Sequence, residues 1–492
     1  MEVTKPGERR LRQSPWHTAV LFCAAGLVGM SHQTCAQTAA VNAARSSGRD
    51  PSAETVMKIT APFMVTAVGD IIEPQPLYSD DSAFQKLIGR IREADVGFAN
   101  MESSLVDFRT FQGPVAGTEA PLETGDAIKA MGITLMSRAN NHAFDGGVMG
   151  MISTDEALDK LGIAHAGTGR NLQEARAAHY IETPKGRVGL VSVFSVDDSS
   201  DYGPNFAKTE ATYRNGNLGG APGLNPLHLT TYHVVSPEQL QTLRQIALSA
   251  YGRSGSAASA VEGTGPDRFR FFDEWYQGGS ESGALRYEMN PNDEKDILQS
   301  IRNGKIFADF MIVAVHAHQT TNYSAQGRGA VDHDAADFLV KLAHDSVDNG
   351  ADMFVAHGVH ALHGVEIYNG KPIFYGLSNF VFQFGLQVES GYDIMATAKE
   401  KAGHENPANQ ETVLTTTRFE GGKLKEVRLY PVDLGGSRRP LSRMGIPLTP
   451  SPEDAQRILK GLQEYSQHFG TKISIEDNVG VIRCGDAACR GL

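Results

Sequence analysis

The chain has 492 residues, of which 41% are hydrophobic and 21% charged, and its formal net charge is -12. This composition excludes a fibrous or wholly disordered protein and leaves room for one large core or two domains. The negative charge argues against a nucleic-acid-binding surface, because a polyanion would be repelled. A polyanionic substrate stays compatible with it, because a bound metal ion reverses the local charge.

Residues 1–36 are typical of a signal peptide. Arg9, Arg10 and Arg12 form a basic segment, an apolar stretch covers residues 18–30, and small residues lead to a cleavage site after Ala36. A permanent membrane helix needs about 20 apolar residues, so this stretch is short for one. We therefore expect a periplasmic or secreted protein. The alternative is that the segment is retained and anchors the protein to the membrane.

The rest of the chain predicts one large layered domain. Residues 37–58 are rich in Ala, Ser and Arg and predict a linker. Residues 59–435 alternate between apolar strand-like runs and amphipathic helix-like runs, which indicates an α/β fold. Residues 197–291 lose this alternation and predict an irregular insertion. One helix interrupts the insertion, beginning at a capping box formed by Ser236 and Gln239.

Side chains that bind metals follow predicted strands at five places. Loops at strand ends build the sites of layered folds. Each residue alone is more typical of a turn or of a structural histidine. Carboxylates, an amide oxygen and imidazoles together, however, suit a dinuclear site for Mn, Fe or Zn. The segments are residues 69–70, 100–102, 140–142, 316–318 and 357–360.

Several of these segments lie in longer blocks that resemble the CapA family of polyglutamate capsule proteins. The blocks follow the family's order over residues 63–385, apart from the insertion. As a set they are highly specific, although each short piece is not. They are VTAVGD at 65–70, ANME at 99–102, RANNHAFDGG at 138–147, GIAHAGTG at 162–169, GADMFVAHGVH at 350–360, and GVEIY and YGLSNF within 364–380.

The resemblance implies a calcineurin-like metallophosphatase fold, which is a four-layered αββα sandwich, with one or two bound divalent metal ions. In the wider superfamily the histidine beside the ligand asparagine acts on the leaving group. His142 inherits that catalytic role here, and Asp145 is placed to orient it. Carried over position by position, the metal-facing set is Asp70, Glu102, Asn141, His316, His357 and His360.

Two blocks depart from the family pattern. Where the family usually has His-Trp-Gly-x-Glu, this chain has HAHQT at 316–320. His318 is a candidate to replace part of the missing function. Where the family has Gly-His-His-Pro-His, this chain has AHGVH at 356–360. Both departures keep residue types that bind metals. They leave open which substrate the protein takes, because other residues of the family's blocks are replaced.

Two classes of function fit these residues. The first is an exported metal-dependent hydrolase that acts on or handles poly-γ-glutamate, a related cell-surface polymer or a phosphoester. The alternative is a non-catalytic polymer-binding subunit in capsule polyglutamate synthesis or export. Either implies an anionic polymer or a small-molecule substrate as ligand, capsule-synthesis proteins as partners, and no nucleic acid. A third interpretation is a cell-surface binding protein with a degenerate site, but the complete set of ligand-type residues favours a working site.

Residues 436–492 are predicted to be a C-terminal extension with a disulfide. Removal of the signal peptide leaves only Cys484 and Cys489, an even pair in a protein expected to be exported. We predict a mature protein that begins near Gln37 and carries this disulfide. Intact mass measurement of the protein recovered from the periplasm or medium checks both parts. A mass that includes residues 1–36, or two thiols that alkylate without reductant, would contradict them.

Overall fold

In the computed structural model of the chain, all the described residues belong to one compact unit, Glu54–Leu492. The predicted signal peptide and Cys489 lie outside them, so cleavage after Ala36 and the disulfide stay predictions. The structure describes residues 54–115, 118–197, 210–213, 219–251, 265–271, 274–322, 332–383, 407–440 and 443–484.

Strands and helices alternate along much of this part of the chain. The strands are β1 (Phe63–Ile72), β2 (Val96–Met101), β3 (Ser104–Val106), β4 (Glu119–Pro121), β5 (Leu135–Ser137), β6 (Ala164–Ala166), β7 (Thr168–Gly169), β8 (His179–Thr183), β9 (Gly186–Asp197), β10 (Gly223–Leu224), β11 (Pro226–Val235), β12 (Arg268–Phe271), β13 (Glu274–Gly278), β14 (Leu285–Met289), β15 (Phe310–Ala317), β16 (Met353–Gly358), β17 (Val365–Tyr368), β18 (Lys371–Phe374), β19 (Asn379–Phe382), β20 (Glu411–Glu420), β21 (Lys423–Asp433), β22 (Ser474–Glu476) and β23 (Val479–Arg483). The α-helices are α1 (Ser82–Arg92), α2 (Leu122–Met131), α3 (Gly147–Leu161), α4 (Leu172–Arg176), α5 (Pro237–Tyr251), α6 (Pro291–Phe307), α7 (Asp337–Asp348) and α8 (Pro452–Ser466).

Most strands belong to two large sheets. The first sheet has nine strands in the order β22-β23-β21-β20-β1-β2-β5-β6, with β19 also paired to β1. The second has ten in the order β12-β13-β11-β9-β15-β16-β18-β17, with β14 paired to β11 and β8 to β9. The strands β1, β2, β5 and β6 are parallel, as are β9, β15 and β16. Parallel strands bring their carboxyl ends to one edge of each sheet, where sites of layered folds form.

One apolar core joins the two sheets. Val65 of β1 and Leu190 of β9 belong to the same cluster of buried side chains. The ring of Phe310 in the second sheet lies 5.3 Å from that of Phe63 and 5.0 Å from that of Phe419, both in the first sheet. Because rings at these centroid distances are in direct contact, the two sheets pack face to face here.

Helices bury apolar side chains against other strand residues. Leu87 of α1 clusters with Val68 of β1. Ile301 of α6 and Leu342 of α7 cluster with Val313 of β15. This packing follows from the amphipathic pattern of the helices, whose apolar face must be covered. The structure confirms the mixed α/β class and is compatible with a metallophosphatase-like fold.

The described residues of segment 197–291 are more regular than the sequence predicted. They contain β10 to β14 and α5, and β11 extends the second sheet by pairing in parallel with β9. The capping box of α5 is present, with the Ser236 amide donating to Gln239 Oε1 at 2.8 Å and the Gln239 amide to Ser236 Oγ at 3.2 Å. The alternating positions of Leu227 and Leu229 account for the strand β11, because both side chains lie on one face of it and are buried in the core of the second sheet.

The described part of residues 436–492 is likewise continuous with the core, although the sequence predicted an extension. The strand β23 pairs antiparallel with β21, placing Ile482 opposite Val427. The helix α8 buries Ile458 and Leu459 in the core between the sheets. The helical spacing of these residues provides an apolar face that needs a partner. No helix in the described ranges is long and apolar enough to cross a membrane.

We predict that Phe310→Ala lowers the free energy of unfolding by about 3–5 kcal/mol, the usual cost of emptying a buried aromatic site. Phe310 is fully buried between the sheets, whereas Phe307 at the end of α6 is 63% exposed. Phe307→Ala is therefore the matched control, with an expected change within about 0.5 kcal/mol. Denaturant unfolding of both variants measures the difference. Equal effects would mean that the contact between the sheets is misplaced.

Candidate metal centre

The ends of neighbouring parallel strands bring two pairs of polar residues together. In the first sheet, Asp70 of β1 is the register partner of Asn100 of β2. In the second sheet, His316 of β15 is the register partner of His357 of β16. All four side chains are buried. Strand register alone therefore places a carboxylate, an amide and two imidazoles at the carboxyl ends of four strands.

The carboxylate of Asp70 connects these pairs across the two sheets. Its Oδ1 accepts a hydrogen bond from Asn100 Nδ2 at 2.8 Å and lies 3.4 Å from His357 Nδ1. Its Oδ2 accepts from the backbone amide of Gly358 at 3.1 Å and lies 3.3 Å from His360 Nδ1. Asp70 is thus in contact with donors from both sheets.

Unusual backbone conformations make these contacts possible. Gly358 has a φ of 106°, and a Cβ there would lie 2.9 Å from His316 Nε2. His360 has a φ of 55°, a conformation that costs free energy for a residue with a side chain. On the other side, a Cβ on Gly69 would lie 1.8 Å from the carbonyl oxygen of Ser378. Glycine is therefore required at both positions for the strands to approach.

The histidines form a chain of close contacts. His316 Nδ1 lies 2.9 Å from His357 Nδ1, and His316 Nε2 lies 2.9 Å from His318 Nε2. Glu102 Oε1 lies 3.6 Å from His316 Nε2 and 3.9 Å from His360 Nε2. Nitrogen and oxygen ligand atoms therefore face one another at distances that leave room for cations.

Three overlapping groups of ligand-type residues follow from these distances. Within each group the ligand atoms lie within 4.8 Å of one another. Mixed carboxylate and imidazole groups suit Mn, Fe or Zn. The groups, found among the described residues, are Asp70 with His316 and His357, Glu102 with His316 and His318, and Asp70 with Glu102 and His360.

Unpartnered polar atoms test whether a divalent ion fits this site. Glu102 Oε1, Asn141 Oδ1 and His360 Nδ1 are buried and have no hydrogen-bond partner. Leaving such an atom unsatisfied costs about 1–3 kcal/mol, and more for a charged group. A bound cation would satisfy lone pairs on all three, because each residue type is a metal ligand. The residues present therefore fit the divalent ions that the sequence predicts.

The two buried carboxylates differ in acidity. Burial raises the pKa of Asp70, but the close contact with His360 and the positive charge that His357 and His360 acquire on protonation outweigh it, so the net pKa is lowered. Burial raises the pKa of Glu102 well above its usual value, and the nearby Asp70 charge raises it further. A bound cation favours the ionised form of a carboxylate. Metal binding would therefore favour ionisation of Glu102 more than that of Asp70, which already has a lowered pKa.

Three imidazoles of the cluster, those of His316, His318 and His357, favour the neutral form. Burial lowers the pKa of His316 and His318 well below the usual value, and neighbouring histidines lower it further. Burial also lowers the pKa of His357 to about 4, against the opposing effect of Asp70. A neutral imidazole keeps the lone pair that a metal ion needs.

Arg138 supports the loop that carries Glu102. Its side chain is fully buried, and Nη1 donates to the carbonyl oxygens of Met101 and Ser103 at 3.4 Å each. Its Nε donates to Asp155 at 3.3 Å. Because these carbonyl groups flank Glu102, the guanidinium group fixes the backbone on both sides of that carboxylate.

His142 and Asp145 form a separate pair. His142 Nδ1 lies 2.7 Å from Asp145 Oδ2, which also accepts a hydrogen bond from Thr118 Oγ1 at 2.5 Å. Burial lowers the pKa of His142, but the charge and hydrogen bond of Asp145 outweigh it and leave the pKa raised. The side chain of His142 is 26% exposed, unlike the fully buried His316. The pair therefore combines a raised imidazole pKa with access to solvent.

The structure brings most of the candidate ligands into one cluster. Asp70, Glu102, His316, His357 and His360 lie within the distances given above. Asn141 lies in the loop after β5, between one residue that contacts the site and one that belongs to the separate pair. The first, Asn140, donates to Asn100 Oδ1 at 3.1 Å, and the second is His142.

Two residues of the cluster were missing from the predicted ligand set. Asn100 contacts Asp70 and lies 3.3 Å from His316 Nδ1. His318 contacts His316. For His318 a signal existed, because it lies in the HAHQT block where the chain departs from the family. For Asn100 the signals were its position at the end of a strand and its place in the ANME block at 99–102.

Comparison with known proteins identifies the family. A family model described as "Bacterial capsule synthesis protein PGA_cap" matches residues 42–384. The chain belongs to the PGA_cap family. This confirms the resemblance found in the sequence, and the PGA_cap family is part of the metallophosphatase-like superfamily.

Relatives of this PGA_cap protein include both distant and closer sequences. The uncharacterized protein y4sH of Sinorhizobium fredii is 35% identical over 490 residues, covering 92% of this chain and 100% of that relative. The PGA biosynthesis protein CapA of Bacillus subtilis is 25% identical over 309 residues, covering 62% of this chain and 58% of that relative. The capsule biosynthesis protein CapA of Bacillus anthracis is 23% identical over 331 residues, covering 65% and 60% respectively.

We predict that Asp145→Asn lowers the pKa of His142 in the metal-free protein. The wild-type pKa is raised chiefly by Asp145, and burial alone acts in the opposite direction. The imidazole should therefore lose its proton at a lower pH in the variant, which an NMR titration of the histidines measures. Asp107→Asn, which changes a carboxylate paired with Arg109, is the control and should leave His142 unchanged. A variant in which the pKa stays raised would contradict this assignment.

Proposed function

We propose that this protein is an exported, metal-dependent hydrolase-like protein of the CapA type. In this proposal it acts on or handles poly-γ-glutamate, a related cell-surface polymer or a phosphoester. The observation that carries the proposal is the cluster of Asp70, Glu102, His316 and His357, buried where the two sheets meet, with ligand atoms that have no partner. The packing of helices and sheets supports a four-layered αββα arrangement as part of the same proposal.

The proposed ligands of two divalent ions are the residues of this cluster together with Asn141. When bound, such ions supply Lewis-acid chemistry, which lowers the pKa of water and stabilises negative charge on a phosphoryl or carbonyl centre. The two buried carboxylates of the site have pKa values that are shifted in opposite directions. The pKa of Asp70 is lowered and that of Glu102 is raised, and a nearby cation would favour the ionised form of both.

His142 is the proposed general acid. Its Nδ1 is occupied by the contact with Asp145, so Nε2 is the nitrogen left to hold or release a proton toward a leaving group. Asp145 orients the ring and raises its pKa, and Thr118 donates a hydrogen bond to Asp145 in turn. The partial exposure of His142 gives a substrate access to it.

A polymer-binding role without catalysis is the second candidate. The observation in its favour is that the matching family model and the Bacillus relatives carry names of capsule or PGA biosynthesis, and none of these names states a hydrolytic reaction. In that role the same site would hold an anionic polymer through its bound cations, alongside capsule-synthesis partners. Turnover is what separates the two candidates.

Metal analysis of the purified protein, combined with a screen of phosphoesters and γ-glutamyl amides, tests the proposal. We expect His357→Ala to lose most bound metal, because neither alanine nor water replaces the imidazole. His142→Ala should keep its metal and lower the hydrolytic rate by about 10²–10⁴, the usual scale for losing a general acid. His468→Ala is the control, because His468 is exposed and pairs only with the ring of Phe469 among the described contacts.

The outcomes separate the two candidates. Metal without turnover of any compound, together with binding of poly-γ-glutamate that is lost in His357→Ala, would favour the polymer-binding role. A wild-type protein that binds no divalent metal would remove the basis of both. Equal rates in His142→Ala and the wild type would show that another group transfers the proton.

A further inference from the structure

A cavity outside the metal centre is lined by two positively charged side chains. Its volume is about 270 Å³, and it lies between α1, the end of β21, the turn before β23 and the start of α8. Lys86 and Arg90 of α1 both line it, and none of its lining residues belongs to the metal centre. The formal net charge of the whole chain is -12, so a positive site for an anion has to be built locally.

Both cations of this cavity are available to a ligand. Neither Lys86 nor Arg90 has an ion pair or a side-chain hydrogen bond with another described residue. The guanidinium group of Arg90 lies 3.8 Å from the centroid of the Tyr430 ring, and this cation–π contact fixes its plane. Stacking uses the face of the group and leaves its N–H edge, which matches the geometry of a carboxylate. Arg90 is therefore a fixed donor for an anion.

Asn478 adds amide donors on the opposite wall of the cavity. Its Oδ1 accepts a hydrogen bond from Gln456 Nε2 at 2.9 Å, so the N–H groups of this amide are left for a ligand. Asn478 and Asp477 form the two-residue turn between β22 and β23, with φ values of 62° and 49°. Pro450 and Pro452 also line the cavity, and their rings restrict the backbone. The cavity thus presents cationic and amide donors on a restricted frame.

The two cations have the spacing of the charges on a γ-linked glutamate chain. Side chains four residues apart on one helix have Cβ atoms about 5–6 Å apart. An extended α-linked residue has three backbone bonds and spans about 3.3–3.6 Å, so a γ-linked residue with five bonds spans about 6 Å. Successive α-carboxylates of the γ-linked chain follow at that repeat. Lys86 and Arg90 are therefore placed to contact one carboxylate each.

We propose that this cavity is an anion subsite that binds successive α-carboxylates of a γ-linked glutamate chain through Lys86, Arg90 and Asn478. The inference rests on the proposed function and adds to it a place outside the metal centre where the polymer is held. Asp477 also lines the cavity and carries a negative charge, which opposes the binding of an anion. The subsite therefore predicts opposite effects for the removal of its cations and of this carboxylate.

Charge substitutions in both directions test the subsite. Lys86→Gln and Arg90→Gln should each weaken the binding of a short fluorescein-labelled γ-linked glutamate oligomer by about 3–10-fold, because each removes one ionic contact. Asp477→Asn should tighten binding by about 2–5-fold, because it removes the opposing charge. Lys295→Gln is the control, since Lys295 is an exposed lysine of α6 outside the cavity, and it should bind as the wild type does. Fluorescence anisotropy at constant ionic strength measures the dissociation constants.

Metal content and circular dichroism confirm that the variants keep the wild-type fold. Equal affinities in Lys86→Gln, Arg90→Gln and Lys295→Gln would overturn the inference. Undiminished binding of an oligomer whose α-carboxylates are converted to carboxamides would also overturn it, because those charges would not be the groups that bind.

Two further outcomes distinguish a failure of this inference from a failure of the proposed function. A wild type that holds metal but binds no γ-linked oligomer would overturn the inference and leave the metal dependence in place. A wild type that holds no metal, but whose oligomer binding falls in Lys86→Gln and Arg90→Gln, would support the inference and overturn the proposed metal-dependent function.

Discussion

The complete burial of the Asp70 carboxylate is the constraint on which the rest of the site depends. A carboxylate removed from water is stable only where hydrogen bonds and opposite charges replace its hydration. Asp70 obtains a donor from its own sheet through Asn100 and another from the second sheet through the amide of Gly358. The two sheets must therefore meet at this point, and the conformations of Gly358 and His360 follow from that requirement.

The packing between the two sheets also sets the positions of the side chains in the site. The contact of Phe310 with Phe63 and Phe419 holds the sheets face to face. That contact sets how far His316, at the other end of the strand of Phe310, lies from Asp70. A shift of one residue in a strand would turn its side chains to the opposite face. The apolar core thus positions the ligands without touching them.

Charge is distributed unevenly within the site. Its inner part consists of neutral imidazoles and two carboxylates of unequal acidity, with no hydrogen-bond partner for Glu102 Oε1. Its outer part is the pair of His142 and Asp145, in which the pKa of His142 is raised and the imidazole reaches solvent. This division suits a centre in which cations sit deep and proton transfer occurs at the entrance. It also explains why the histidines of one small region have pKa values shifted in opposite directions.

The sequence by itself determined the α/β class, the strands that carry Asp70 and His357, and the family, because apolar periodicity and motif blocks are local. It also indicated His316, Glu102 and His360 through the resemblance. Only the tertiary structure decided that Asn100 bonds to Asp70, that His318 joins the cluster, and that segment 197–291 contributes strands to the second sheet. The physical reason is strand register. The partners in each contact come from strands or loops far apart in the chain, and their alignment depends on packing across the whole core.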